Sequence, residues 1–72
     1  MPRKPPSVLV IDDEPDILEL LSLTLEGMGL ISATADSVKQ AIIKLNSQEF
    51  DLCLTDLRLP DGNGIDLVRY IQ

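Results

Sequence analysis

Val8-Leu9-Val10-Ile11 is an unbroken apolar run, largely β-branched, and predicts a strand buried on both faces. It stops at Asp12-Asp13-Glu14-Pro15. Aspartate is a good helix N-cap and proline fits the first helical turn, so a helix is predicted to begin there. Ile17, Leu18, Leu21, Leu25 and Met28 follow the three-four spacing of an amphipathic helix, and Leu20 and Leu23 widen that stripe beyond what one contact surface needs. Gly27 and Gly29 supply the stop. From Leu30 to Ala35, Ile31, Ala33 and Ala35 alternate with Ser32 and Thr34, which predicts a half-buried strand at a sheet edge. Ser37-Val38-Lys39-Gln40 fits a capping box and opens a second helix with Ala41, Ile42 and Leu45 on one side, ending at Asn46-Ser47. Asp51 to Asp56 reads as a third strand, apolar on both faces. Leu57 to Asn63 contains the turn cluster Pro60-Asp61-Gly62-Asn63, and Gly64 to Gln72 begins a third helix with Ile65, Val68 and Ile71 in register. Residues 1–6, with three prolines, form a solvated lead, leaving 7–72 as the folded part.

Strand and helix thus alternate three times, which implies an α/β fold with parallel pairing and right-handed crossovers. The third strand is built like a central strand, yet no fourth strand follows it. The first helix also offers more apolar surface than three strands can cover. These features predict a piece of a larger fold, or completion by another chain, with two copies pairing at the open edge of the third strand into one sheet.

Composition narrows the function. The 72 residues carry 12 acidic and 6 basic side chains, no histidine and one cysteine, for a net charge of −6. A Ser-His-Asp triad, a histidine metal site, an internal disulfide and a cysteine zinc site are therefore excluded. The acidic balance with 3% aromatic residues argues against nucleic-acid binding by this segment. Mean hydropathy is +0.15, too apolar for a disordered acidic tail, and the apolar runs are too short for a membrane span or a secretory signal. A cytoplasmic location is expected. Carboxylate chemistry remains.

Ligands of parallel sheets bind beyond the carboxyl ends of the strands. Asp12 and Asp13 leave the first strand at that end and Asp56 leaves the third, so neighbouring strands would gather three carboxylates in one pocket. Such charges repel unless a cation or a proton offsets them, and an all-oxygen donor set suits a hard ion such as Mg²⁺. The bland alternative makes Asp12 and Asp13 ordinary caps, Asp56 a turn former and Asp61 an Asx-turn residue.

Val8 to Pro15, together with Asp51-Leu52-Cys53-Leu54-Thr55-Asp56-Leu57-Arg58-Leu59-Pro60-Asp61-Gly62-Asn63-Gly64, closely resembles the receiver domain of two-component response regulators. The likeness runs from Ser7 to Gln72. It implies a flavodoxin-like doubly wound sheet of order 2-1-3-4-5, of which this sequence holds three βα units in the order 2-1-3. It further implies that Asp56 accepts a phosphoryl group from a sensor histidine kinase. Asp13, Asp56 and the backbone carbonyl of Arg58 would ligate Mg²⁺, with Asp12 acting through a bound water. The family's hydroxyl on strand four, lysine on strand five and switch aromatic have no counterpart before Gln72. These residues alone are therefore expected to bind Mg²⁺ weakly, to accept phosphate poorly and not to switch. The lead beginning at Met1 is expected to put the receiver at the amino terminus of its protein, and transcription control is a family-level expectation.

Other functions fit less well. A phosphatase resembling the haloacid-dehalogenase-like group needs an aspartate two residues beyond its nucleophile, where Arg58 stands. A calcium loop is excluded on spacing, since Asp61-Gly62-Asn63-Gly64-Ile65-Asp66 lacks the remaining ligands. No glycine-rich phosphate loop follows the first strand. An interaction or dimerisation module without phosphoryl chemistry stays open. Neither functional reading implies a turnover enzyme.

Overall fold

The computed structural model describes residues 5–56 and 58–63. Strands β1 (Ser7–Ile11), β2 (Ile31–Ala35) and β3 (Leu52–Thr55) form one parallel sheet in the order β2-β1-β3. Helix α1 (Pro15–Gly27) and helix α2 (Val38–Ser47) connect them. In register, Ile11 faces Ala35 on one side and Thr55 on the other. Beyond the strands the ladder continues, with Asp12 N–H donating to the Ala35 carbonyl at 3.0 Å and Asp56 N–H to the Ile11 carbonyl at 2.9 Å.

β1 is buried along its apolar run, and its alternating side chains seed two cores. Leu9 and Ile11 pack with Ala35, Ala41 and Leu59, flanked by Val38, Ile42, Leu45, Phe50 and Cys53. Val8 and Val10 pack with Leu25, flanked by Leu18, Leu21 and Leu30. Helices α1 and α2 thus cover opposite faces of the sheet, a doubly wound arrangement. Burial pushes the Cys53 thiol up from its usual value, in keeping with a small core residue.

The ends of the helices show how local chemistry sets the chain path. α1 begins with Pro15 in its first turn, but the cap residue is Glu14 and its side chain makes no capping bond. The expected aspartate cap is replaced by an Asx turn, in which Asp12 Oδ1 accepts from Glu14 N–H at 3.0 Å. At the other end, Gly29 N–H donates to the Glu26 carbonyl and Leu30 N–H to the Leu25 carbonyl, both at 3.0 Å. This is a Schellman closure, and Gly29 supplies its left-handed residue at φ 84°. Met28 is 69% exposed, because the closure turns the chain before the apolar stripe reaches it. α2 is capped by the Ser37 hydroxyl, which accepts from Gln40 N–H, while Gln40 Oε1 accepts from Asp36 N–H, one residue ahead of the reciprocal bond of a strict capping box.

The segment read as a plain turn cluster is a tight hairpin, β4 (Arg58–Leu59) against β5 (Gly62–Asn63), with Pro60-Asp61 at its tip. Among the described residues the α1 side of β3 is left open, with Leu52 and Leu54 53% and 37% exposed. The predicted third helix, with Tyr70, and residues 1–4 of the lead lie outside the described residues. Among the described residues no helix is long and apolar enough to cross a membrane.

Candidate metal centre

The strand order explains the site. β1 and β3 are direct neighbours, so their next residues, Asp12-Asp13 and Asp56, emerge side by side at the carboxyl rim of the sheet. One carboxylate oxygen from each of Asp12, Asp13 and Asp56 lies within 4.8 Å of the others. Asp12 is half-buried, and Asp13 and Asp56 are exposed.

The backbone beneath them is fixed. Asp12 is held by its N–H bond to Ala35 and by the bond its carboxylate accepts from Glu14 N–H. The Thr55 hydroxyl donates to the Asp56 carbonyl at 2.9 Å, tying down the last residue of the strand end. The donors are hard oxygens, partly open to solvent, which fits a cation that keeps several waters, as Mg²⁺ does. Among the described residues, the three carboxylates expected to converge do so. Arg58 lies in β4, two residues past Asp56, so its backbone follows the acidic rim directly.

Asp61 was expected to make a local turn at most. Its carboxylate instead spans the first turn of α2, with Oδ1 accepting from Val38 N–H at 2.7 Å and Oδ2 from Lys39 N–H at 2.9 Å. These two bonds, the Lys39 one foremost, hold the Asp61 carboxyl below its usual range. The partners lie more than twenty residues upstream, and no local spacing signals such a contact. A cleft lined by Pro5, Ser7, Ile31, Gln48, Glu49 and Asp51 lies at the opposite end of the sheet, where Ser7 N–H donates to Asp51 Oδ2 at 2.8 Å.

An open α/β sheet with a cluster of carboxylates at the carboxyl ends of two adjacent strands defines the class: a doubly wound, flavodoxin-like domain with an acidic rim. The chain belongs to the response regulator receiver domain family, whose pattern matches residues 8–72. It is 59% identical over 64 residues to the response regulator protein PilR of Pseudomonas aeruginosa, covering 89% of this chain and 14% of PilR. It is 46% identical over 65 residues to the alginate biosynthesis transcriptional regulatory protein AlgB of Pseudomonas putida, covering 90% of this chain and 14% of AlgB. Among solved structures, a response regulator receiver protein from Pseudomonas putida matches with a TM-score of 0.89 and 37% identity, covering 97% of this chain and 59% of that one. TrrA from Thermotoga maritima, solved in complex with Mg²⁺ and BeF, matches with a TM-score of 0.87 and 35% identity, covering 92% of this chain and 57% of that one. The chain therefore spans a small fraction of the curated regulators and a little over half of the solved receivers.

Proposed function

We propose that the chain serves as the phosphoryl-accepting part of a two-component response regulator, with Asp56 the acceptor and a sensor histidine kinase the donor. The observation that carries this reading is the convergence of Asp12, Asp13 and Asp56 within 4.8 Å at the carboxyl rim of the sheet. An Asp56 carboxylate oxygen attacks phosphorus in line. An O–P bond forms and the P–N bond to the kinase imidazole breaks, with its electron pair left on the nitrogen. No general base is needed, because the nucleophile is already an anion.

Asp13, Asp56 and the Arg58 carbonyl would hold Mg²⁺, with Asp12 acting through a water. When bound, the ion supplies charge neutralisation between two anions that otherwise repel. The chain's own residues do the positioning: the β1 and β3 ends set the spacing of the carboxylates, and the Asx turn at Asp12 fixes its orientation. The protein modifies itself rather than turning over substrate and works in the cytoplasm. Its part in a regulator of transcription is supported by the names of two relatives, GlrR and AlgB, both called transcriptional regulatory proteins. The 72 residues hold no counterpart of the family's later hydroxyl and lysine, so alone they accept phosphate slowly. The exposed Leu52 and Leu54 beside the outer edge of β3 support self-association of this chain through that strand.

Incubation with acetyl phosphate and Mg²⁺, followed by peptide mass spectrometry, tests the chemistry. Slow, Mg²⁺-dependent gain of one phosphoryl group at Asp56 is expected, and its loss in Asp56→Asn. Modification at another residue, or labelling indifferent to Mg²⁺, contradicts the reading. Rapid labelling would contradict the slow-acceptor part alone.

A further inference from the structure

The loop after β3 is anchored at three points in close succession. Leu59 is buried among Leu9, Ile11, Ala35 and Ala41. Asp61 accepts from both Val38 N–H and Lys39 N–H. Gly62 lies so near Val38 that an added Cβ would stand 3.0 Å from its Cγ2. Because β1 lies between β3 and β2, and α2 starts just past the carboxyl end of β2, the chain from β3 to the start of α2 passes the carboxyl end of β1. The loop therefore runs across the rim from which Asp12 and Asp13 emerge.

The grip serves the two first-turn donors that Ser37 does not reach. Ser37 already satisfies the Gln40 N–H, and Ala41 N–H bonds the Ser37 carbonyl. Lys39 is exposed and Val38 half-buried, so water could serve at least the Lys39 N–H. What the two charge-assisted bonds add is geometry for the loop, reinforced by the favourable placement of an anion at a helix amino terminus.

We propose that Asp61 is a positioning residue of the acidic centre: by gripping the start of α2 it fixes the loop that carries the Arg58 carbonyl, so that a divalent cation held by Asp12, Asp13 and Asp56 meets a preformed backbone ligand. The inference rests on the metal-centre reading above and goes beyond it by giving a role to a residue outside the carboxylate cluster. Fixing the loop in advance removes an ordering cost that binding would otherwise bear.

Mn²⁺ affinity, read by water-proton relaxation on the full 72-residue chain, tests this beside thermal unfolding of the same samples. Asp13→Asn marks the loss expected on removing a ligand. Asp61→Ala is expected to raise the Mn²⁺ Kd roughly three- to tenfold, below the effect common for residues that orient ligands directly, since it acts through the loop. Asp61→Asn carries the same charge as Asp61→Ala but keeps an acceptor oxygen, and its Kd is expected between wild type and Asp61→Ala. Ser37→Ala weakens the same helix end without touching the loop, and is expected to lower the melting temperature while leaving the Kd unchanged. Equal Kd values for Asp61→Asn and Asp61→Ala would reduce the effect to charge and overturn the inference. So would a Kd in Asp61→Ala no different from that in Ser37→Ala. If Asp13→Asn itself binds like wild type, the metal-centre reading fails and the inference with it.

Discussion

The two faces of β1 are built differently. On one side Leu9 and Ile11 meet small residues, Ala33, Ala35 and Ala41, which let α2 approach the sheet, and Leu59 of the hairpin packs into the same core. On the other side Val8 and Val10 meet Leu18, Leu21, Leu25 and Leu30, but among the described residues the cover stops at β1 and leaves Leu52 and Leu54 of β3 open. Both faces are equally apolar in sequence. The face with the hairpin is closed and also steadies the loop beside the acidic rim. The face without one leaves its outer strand open among the described residues.

Substitutions on the two faces sharpen the contrast. Leu9→Ala removes a fully buried side chain and is expected to cost about 2–5 kcal/mol, enough to abolish a cooperative urea transition by circular dichroism in so small a chain. A smaller loss would mean that the closed core is looser than its burial suggests. Leu54→Lys should change the monomer's stability by less than about 1 kcal/mol, since its site is already open. Its effect should appear in light scattering, as a shift of self-associated chain towards monomer. A wild-type chain that is a stable monomer contradicts pairing at β3. The smallest effect concerns acid. Because its folded pKa is depressed, Asp61 stabilises the fold above the unfolded carboxylate value of about 3.9, and this contribution is lost as pH falls through the lower folded value. Urea midpoints measured from pH 5 downward should fall less steeply in Asp61→Asn than in wild type. Parallel slopes would remove Asp61 from the acid transition.

What was legible in the sequence was what depends on short-range pattern. The continuous run from Val8 to Ile11, the alternation from Leu30 to Ala35 and the Ser37 cap each carry their structure within a few residues, and the strand order 2-1-3 followed from the resemblance. Asp12, Asp13 and Asp56 were legible because each sits at the carboxyl end of a strand. The hairpin at 58–63 was hidden because Pro60 and Gly62 signal a turn without saying that two residues on each side will pair. Asp61 was hidden for a deeper reason: its partners are set by the tertiary path of the loop, and a local Asx turn was the cheaper reading. Met28 fitted the helical stripe by spacing, but Gly29 closes the helix before that position reaches the core.

Proton–nitrogen correlation spectra of the chain titrated with substoichiometric Mn²⁺ test the shared-ion claim most directly, because weak binding still broadens nearby amides. The account predicts broadening centred on Asp12, Asp13 and Asp56, absent in Asp13→Asn, with the Asp51 amide at the far end of the sheet unaffected. Broadening spread evenly over Glu19, Glu26 and Asp51, or unchanged by Asp13→Asn, would contradict it.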